Sequence, residues 1–340
     1  MILYRKAAPL RIRRTSAPEP PFWCATTIAP YGPRRGAPVT IDYLTSTASG
    51  AAERTEVTVC EDVRNELERT KPLDAPVLID ATESAETVFR RGEESLAFCD
   101  GQRLDTLFLT STRGALPSIA TTVAIATWPL ELPRLSELFD AAKSLEWGVV
   151  IPVIYPITTD LDSLNELAES ARANRAKFFA AMPLELEATA RQAIANELQL
   201  AGDDDRYEML FHADVAPIHL ATERHIAALA SEHGMHDFVV PPQWNARTNW
   251  NAAALLTLTA SRMIALDLDL DLAGLIARSA RAVAELDKPL TRIAEAANLS
   301  IIEALDETST EMLTEWLGGE APGFAEYVNE QWRLRRATHA

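Results

Sequence analysis

Side chains that could bind a ligand or move a proton follow most of the short β-rich runs in this chain of 340 residues. Barrels of parallel strands carry their active sites at the carboxyl ends of those strands, so we expect these side chains to line one mouth. Asp80, Tyr155 and Thr110 are the candidates for acid–base or orienting roles, although the sequence favours no reaction type. The candidate binding residues that follow the runs are Tyr31, Asp80, Thr110, Arg113, Thr127, Tyr155 and Met182.

Two adjacent arginines, Arg34 and Arg35, lie in the loop after the first of these runs. Arginine stays positively charged and pairs carboxylate or phosphate groups through two parallel hydrogen bonds. The pair therefore predicts a small anionic ligand, and the alternative is an arginine pair on a surface loop.

A metal site is a further hypothesis. His212, Asp214 and His219 lie close together in the sequence, and two imidazoles with a carboxylate can hold zinc or iron. Metal-dependent hydrolysis would then be conceivable. Their spacing matches no specific ligand signature, and histidines at loop edges are ordinary, so we predict no metal here.

The alternating run at residues 266–272 has aspartates at the one-three-five spacing of a calcium-binding EF-hand loop, Asp267, Asp269 and Asp271. Its sixth position is Leu272 instead of glycine, and its twelfth is Arg278 instead of a bidentate glutamate. We interpret the run as a short strand or an extended linker with one buried face.

The segment at residues 25–43 begins with a β-rich run that ends in the turn Ile28-Ala-Pro-Tyr31. It resembles the radical SAM superfamily, and most closely its spore photoproduct lyase-like branch, in which an Ile-x-Pro-Tyr turn is followed by Cys-x3-Cys-x2-Cys. The similarity extends loosely from residue 20 to residue 240, as strand–helix spacing and as short phrases such as residues 151–158.

The cysteine positions of that motif fall on Arg34, Pro38 and Ile41, none of which can bind iron. The resemblance implies a barrel whose rim binds the adenosyl, ribose and amino-acid parts of S-adenosylmethionine. In the family the amino-acid part chelates an iron of the cluster, so losing the cluster removes most of that anchoring. We therefore predict no bound cofactor.

The chain has three cysteines, Cys24, Cys60 and Cys99, at wide spacing. An odd number without a Cys-x2-Cys pair fits reduced intracellular thiols better than disulfides or a zinc site. The alternative is that the three converge to hold a relocated cluster.

The amino-acid composition and the net charge limit the kinds of protein that this chain can be. The chain is 47% hydrophobic and 24% charged, enough for one barrel-sized domain with an appendage or for two ordinary domains. Its net charge of -17 disfavours nucleic acid unless a local basic patch forms, with candidates at residues 11–14 with 34–35 and at residues 333–336. We find neither a signal peptide nor a membrane span and expect a cytoplasmic protein.

Strand and helix patterns alternate up to about residue 245. Apolar runs such as residues 149–154 favour strands covered on both faces, and therefore a parallel sheet. Strands are predicted at residues 23–28, 76–79, 106–110, 123–127, 149–155, 177–182 and 238–240. Helices are predicted at residues 63–69, 133–145, 161–173, 184–198, 222–232, 250–263, 272–286, 290–297, 300–305 and 311–317.

The expected fold is therefore α/β, a full or partial TIM-type barrel of parallel strands with an all-helical C-terminal extension. We assign residues 1–20 to an extended arm, 21–245 to the barrel and 246–340 to the helical subdomain. Residues 289–300 could open a helix-turn-helix, although any two packed helices give the same pattern and the acidic surroundings disfavour DNA.

Three functions are consistent with these observations. The first is a barrel without a cluster that binds a small anionic ligand or acts as the non-catalytic partner of an intact relative. The second is a barrel enzyme with cluster-free or metal-dependent chemistry. The third is a scaffold that binds a protein partner through its helical C-terminus. A polar mouth would favour binding or catalysis, and an apolar, filled one would favour the scaffold.

Overall fold

The structure is a computed structural model that describes residues 11–13, 77–81, 86–101, 103, 105–111, 116–119, 121–126, 132–153, 161–183, 195, 199, 202, 204–211, 216–240, 242–296 and 298–334. The strands are β1 (Arg11–Arg13), β2 (Val77–Ala81), β3 (Thr106–Ser111), β4 (Thr122–Ala126), β5 (Glu146–Val153) and β6 (Phe179–Pro183). The helices are α1 (Glu86–Gly101), α2 (Leu132–Ala142), α3 (Leu161–Ala173), α4 (Asp204–Met209), α5 (Ala216–Glu232), α6 (Asn249–Ala265), α7 (Leu270–Ala284), α8 (Leu290–Ala296), α9 (Glu307–Gly318) and α10 (Gly323–Leu334).

A parallel sheet organises the first part of the chain. Strands β2 to β6 pair in chain order, each parallel to the next, which confirms the predicted α/β class. Each new strand adds on the same side, as in a barrel and unlike a doubly wound sheet. Within the described residues this sheet does not close on itself.

β1 differs from the expectation that all strands are parallel. It pairs antiparallel with β2, with Arg11 opposite Asp80 and Arg13 opposite Leu78. An N-terminal arm can pair in this way because an antiparallel neighbour needs no crossover helix. β2 thus has a partner on each side, β1 and β3, while the predicted strand at residues 23–28 lies outside the described residues.

The two faces of the sheet bury different side chains because successive residues of a strand point in opposite directions. On the face covered by helices, Val149 and Phe179 belong to a core that also includes residues of α2, α3 and α5. On the inner face, Val150 and Ala180 belong to a second apolar cluster. The covering of both faces explains the continuous apolar runs in the sequence.

Helix α3 illustrates how the sequence specifies this layer. Its buried residues Leu164, Leu167, Ala168 and Ala171 are spaced three and four apart, which is one face of a helix. The helix spans the predicted residues 161–173, with Asp162 in its first turn and Arg172 in its last, both favourable for the helix dipole.

The predicted strand at residues 238–240 is wrong. Only His236 makes a bridge to the sheet, parallel to Phe178. Beyond it, Val239 packs into the inner-face cluster, and the Gln243 side chain donates a hydrogen bond to Asp105, just before β3. Because of these contacts, residues 239–243 lie toward β3 and not along the edge of β6. A longer pairing with β6 therefore does not form.

The described elements after residue 248 are all helical, as the pattern predicted. The predicted helix at residues 300–305 is instead a single 3-10 turn, Leu299–Ile301, so the helix-turn-helix interpretation is wrong: α8 has no second helix directly after it. Helices α1, α4 and α10 were not predicted, although the buried residues of α10, Ala325, Val328 and Trp332, are spaced three and four apart. Among the described helices, none is long and apolar enough to cross a membrane.

Gly148 provides a test of how tightly β5 packs. A Cβ atom there would lie 2.4 Å from the Phe178 ring and 2.5 Å from the Phe178 carbonyl oxygen. Because backbone cannot move aside easily, we expect Gly148→Ala to lower the free energy of unfolding by roughly 1–3 kcal/mol in urea denaturation. Gly274→Ala in α7 is the control: its Cβ meets open space, so stability should hold or rise by about 0.5–1 kcal/mol. Equal effects of the two substitutions would contradict this packing.

Candidate functional site

The carboxyl ends of the parallel strands lie side by side. In the register of the sheet, Ala81 at the end of β2 is beside Thr110, and Val153 at the end of β5 is beside Pro183. The loops that follow these strands therefore leave from one surface, which we call the carboxyl end of the sheet; the opposite surface is the amino end.

Most of the predicted binding residues lie in loops beyond these strand ends and outside the described residues. Their roles as ligand contacts remain predictions. The six are Tyr31, Arg34, Arg35, Arg113, Thr127 and Tyr155.

Three predicted site residues fall within described strands. In the register of the sheet, Asp80 of β2 is beside Leu109 of β3, so Asp80 and Thr110 lie on neighbouring strands. Met182 of β6 is beside Pro152 of β5. Thr110 is fully buried and alternates with Leu109, which belongs to the inner-face cluster. Its side chain therefore points away from the inner face, toward the helices.

The inner face of the sheet is a packed apolar core. Its described apolar members form one cluster: Leu107, Leu109, Ala124, Ala126, Val150, Phe178, Ala180 and Val239. The buried Thr122 lies on the same face, beside Leu107 in the register of the sheet.

Cys99 lies far from the carboxyl end. Helix α1 starts after β2 leaves the carboxyl end and returns along the sheet to β3, so Cys99, near the end of α1, lies toward the amino end. It is fully buried. This position is unsuitable for a ligand of a cluster in the mouth, whereas Cys24 and Cys60 lie outside the described residues.

The candidate metal ligands cannot be placed. His212 and Asp214 lie outside the described residues, and His219 lies in α5 with its side chain undescribed. In the part of the chain that the structure describes, no three His, Cys, Asp or Glu side chains converge as a metal site would require. The three-residue metal site remains a hypothesis.

The aspartate run at residues 266–272 links α6 to α7 and enters the first turn of α7, so of its two interpretations the short strand is wrong and a linker is found at residues 266–269. Leu266 ends α6, and Asp267 has a left-handed backbone with φ of 52°. Asp269 caps α7 by accepting a hydrogen bond from the Leu272 backbone at 2.9 Å. The aspartates terminate and start helices here, a role that favours short acceptor side chains.

A buried ion pair is the main polar feature that the sequence did not predict. Nη2 of Arg262, in α6, lies 2.9 Å from Oδ2 of Asp237, and the two side chains are 1% and 0% exposed. Arg262 also donates a hydrogen bond to the side-chain amide oxygen of Asn329 in α10. The pair therefore joins the segment after α5 to two helices of the C-terminal part.

Trp332 of α10 lies at the centre of this junction. The guanidinium of Arg224 in α5 is 5.5 Å from the centre of its ring, and that of Arg262 is 6.0 Å away. Arg224 also donates to the Ala265 carbonyl at 3.0 Å. Cation–π contacts with a buried tryptophan are favourable, so α10 is held by charged as well as apolar contacts.

The sequence did contain a signal for this junction. Arg262 interrupts an otherwise apolar helical pattern, and Asp237 directly precedes the apolar Phe238. A charge placed on a face that will be buried requires a partner. Only the fold shows which aspartate supplies it.

Glu223 is a second unpredicted polar group. It lies on α5 with 1% of its surface exposed, and neither carboxyl oxygen has a hydrogen-bond partner. Burial raises the pKa of Glu223 well above 4.5, and Arg224 opposes this only partly. Ile226, one turn further along α5, belongs to the core on the helix-covered face. Glu223 therefore lies on the helix side of the sheet, not in the inner face.

Comparison with known proteins assigns no family. No family model matches the chain, and no curated protein or solved structure matches it. The resemblance to the radical SAM superfamily therefore rests on the sequence alone.

The Asp237–Arg262 pair predicts a specific pattern of stabilities. Asp237→Asn should lower the free energy of unfolding by roughly 3–5 kcal/mol, because it leaves the buried Arg262 without an ionic partner. Arg262→Met should lower it less, because Arg333 remains 3.8 Å from Asp237. The double variant should lose less free energy of unfolding than the sum of the losses in the two single variants. Lys143→Gln, which removes an exposed pair with Asp140, should cost less than about 1 kcal/mol. Strictly additive losses in urea denaturation would show that the two charges do not compensate each other.

Glu223 should make stability depend on pH. Its folded-state pKa is raised, so its contribution is complete below the unfolded-state pKa and is lost as pH rises toward the folded value. We expect the wild type to lose free energy of unfolding above about pH 4.5, at up to ~1.4 kcal/mol per pH unit, relative to Glu223→Gln. Urea denaturation across this range measures the difference, with the exposed Glu166→Gln as control. Parallel curves for wild type and Glu223→Gln would rule out a protonated Glu223.

Proposed function

We propose that this chain is a cluster-free, radical SAM-like barrel protein that binds a small anionic ligand at the carboxyl end of its sheet. The observation that carries the proposal is the chain-order pairing of five parallel strands, whose following loops all leave from one end. Such an end is where α/β proteins of this kind bind ligands. The extension of the sheet into a full or partial barrel is part of the proposal.

The charge of the ligand follows from the loop after the predicted first strand. Arg34 and Arg35 place two permanent positive charges where the resembled family has its cluster. Two guanidinium groups suit a carboxylate or a phosphate. The cluster of apolar side chains on the inner face favours a ligand held by loop residues above the strands.

The absence of a cluster is supported by two observations. The positions of the family's three cysteines carry Arg34, Pro38 and Ile41. Cys99, the described cysteine, is buried toward the amino end of the sheet. A replacement cluster in the mouth would therefore lack this thiolate.

A second candidate function is that of a non-catalytic partner or scaffold acting through the helical C-terminus. One observation favours it: α10 carries Tyr327 and Leu334 at 51% and 63% exposure, while Val328 and Trp332 on the same helix are buried. The helix thus has apolar side chains on a free side as well as on its packed side. Exposed apolar side chains of this kind suit a protein partner.

Cluster assembly is the first test of the proposal. We expect anaerobic incubation with iron and sulfide to give no cluster absorbance and no retained iron, and we expect S-adenosylmethionine not to bind in calorimetry. A stable cluster would mean that Cys24, Cys60 and Cys99 converge, which would contradict the proposal.

Anion binding is the second test, with inorganic phosphate and malonate as probes in calorimetric titrations. Arg34→Gln/Arg35→Gln should weaken binding roughly 10- to 100-fold, because hydrogen bonds to charged groups contribute about 1.5–3 kcal/mol. Arg278→Gln/Arg281→Gln, on the exposed side of α7, makes the same change in net charge and should leave affinity unchanged. Equal weakening of binding by both double variants would show that only the net charge of the protein matters. No binding of phosphate or malonate by the wild type would refute the anion site.

A further inference from the structure

The amino end of the sheet carries positive charge in a chain whose net charge is -17. Arg172 lies in the last turn of α3, Arg175 in the turn that follows, and Lys177 directly before β6, and all three side chains are exposed. Residues 170–184 contain no aspartate or glutamate. Helix α3 runs back along the sheet to the start of β6, so these charges lie at the amino end.

Two other parts of the chain lie at the same end, and one of them, Arg333, is positively charged. The His236 backbone donates to the Lys177 carbonyl at 3.0 Å, which places His236 beside Lys177. Nη2 of Arg333, near the end of α10, lies 3.8 Å from Oδ1 of Asp237. The structure therefore brings Arg333 near the basic turn before β6. We call Arg172, Arg175, Lys177, His236 and Arg333 the basic end.

Three cations of this surface form no ion pair with a described acid. Asp237 is buried and pairs with Arg262 and, at 3.8 Å, with Arg333. None of the ion pairs found among the described residues involves Arg172, Arg175 or Lys177. The exposed acids Glu146, at the start of β5, and Glu232, at the end of α5, border the basic end. The three exposed cations before β6 thus remain available to a partner.

The pKa of His236 reflects the charges that surround it at the basic end. Burial lowers its pKa from 6.5, and Arg333 and Lys177 lower it further against the opposing effect of Asp237. A neighbouring anion would reverse the effect of the two cations, because an opposite charge favours the protonated imidazole.

The distribution of these charges indicates the kind of partner. The permanent charges come from two parts of the chain, residues 172–177 and Arg333, and are spread over a surface, which suits a series of anions better than one small ion. The strongly acidic remainder of the protein repels a long phosphate backbone or an anionic bilayer. A short stretch of carboxylates can contact the basic end alone, and arginine pairs carboxylates well.

We infer that the basic end docks an acidic segment of a partner protein, with Arg172, Arg175, Lys177 and Arg333 as its main contacts. This surface is at the opposite end of the sheet from the proposed ligand site. Binding of an acidic segment to the basic end can therefore be confirmed or refuted independently of anion binding at the carboxyl end.

The test is fluorescence anisotropy of a labelled oligoglutamate peptide with the full chain. We expect salt-dependent binding that Arg172→Gln/Arg175→Gln/Lys177→Gln weakens by about tenfold, as three surface charges of modest individual effect would give. Arg278→Gln/Arg281→Gln/Arg292→Gln removes the same charge from exposed residues of α7 and α8 and should change the affinity less than about twofold. The bound peptide should also raise the pKa of His236, measured by NMR.

Several outcomes would overturn the inference. Equal weakening by both triple variants would mean that only net charge matters. Tighter binding of single-stranded DNA of equal charge would point to nucleic acid, and no binding by the wild type would remove the site. Lys177→Glu is a second variant should the triple variant unfold, and it should weaken peptide binding as well. Arg34→Gln/Arg35→Gln should leave peptide binding intact, which separates this result from that of the ligand site.

Discussion

A buried ion pair, Asp237–Arg262, is the constraint on which the arrangement of this protein depends. Burying a carboxylate and a guanidinium is costly unless each meets the other in good geometry. Asp237 lies next to the residue that bridges to β6, and Arg262 lies in the first helix of the C-terminal part, α6. We expect the pair to favour this arrangement of the helices on the sheet, because a packing that separated the two side chains would leave each charge buried without the other.

Contacts of α10 complete the junction around the Asp237–Arg262 pair. With Arg262 held, Asn329 and Trp332 bring α10 against α5 and α6. Arg333 then reaches the amino end of the sheet, beside Lys177 and His236. The described helical contacts thus run along α5 and toward the amino end.

The sheet consequently offers two ends with different chemistry. Its inner face holds a cluster of apolar side chains. The predicted ligand contacts Arg34, Arg35 and Tyr155 follow the strands in the sequence and are proposed to act at the carboxyl end. At the amino end, cations from separate elements lie on an otherwise acidic protein. Glu223, with its raised pKa, belongs to neither end and lies in the layer between the sheet and the helices.

The sequence by itself determined the elements whose signal is local. Apolar runs specified the parallel strands β3 to β6, and spacing of three and four specified α3 because one helical face must be buried. Tertiary structure decided what depends on distant residues: the antiparallel β1, the loss of the strand at residues 238–240, and the partner of Arg262. It also decided that Thr110 faces the helices, since a register, and not a local pattern, determines the face on which a residue lies. Arg333 could be identified as basic from the sequence, but only the packing of α10 put it beside Lys177, because that contact joins residues far apart in the chain.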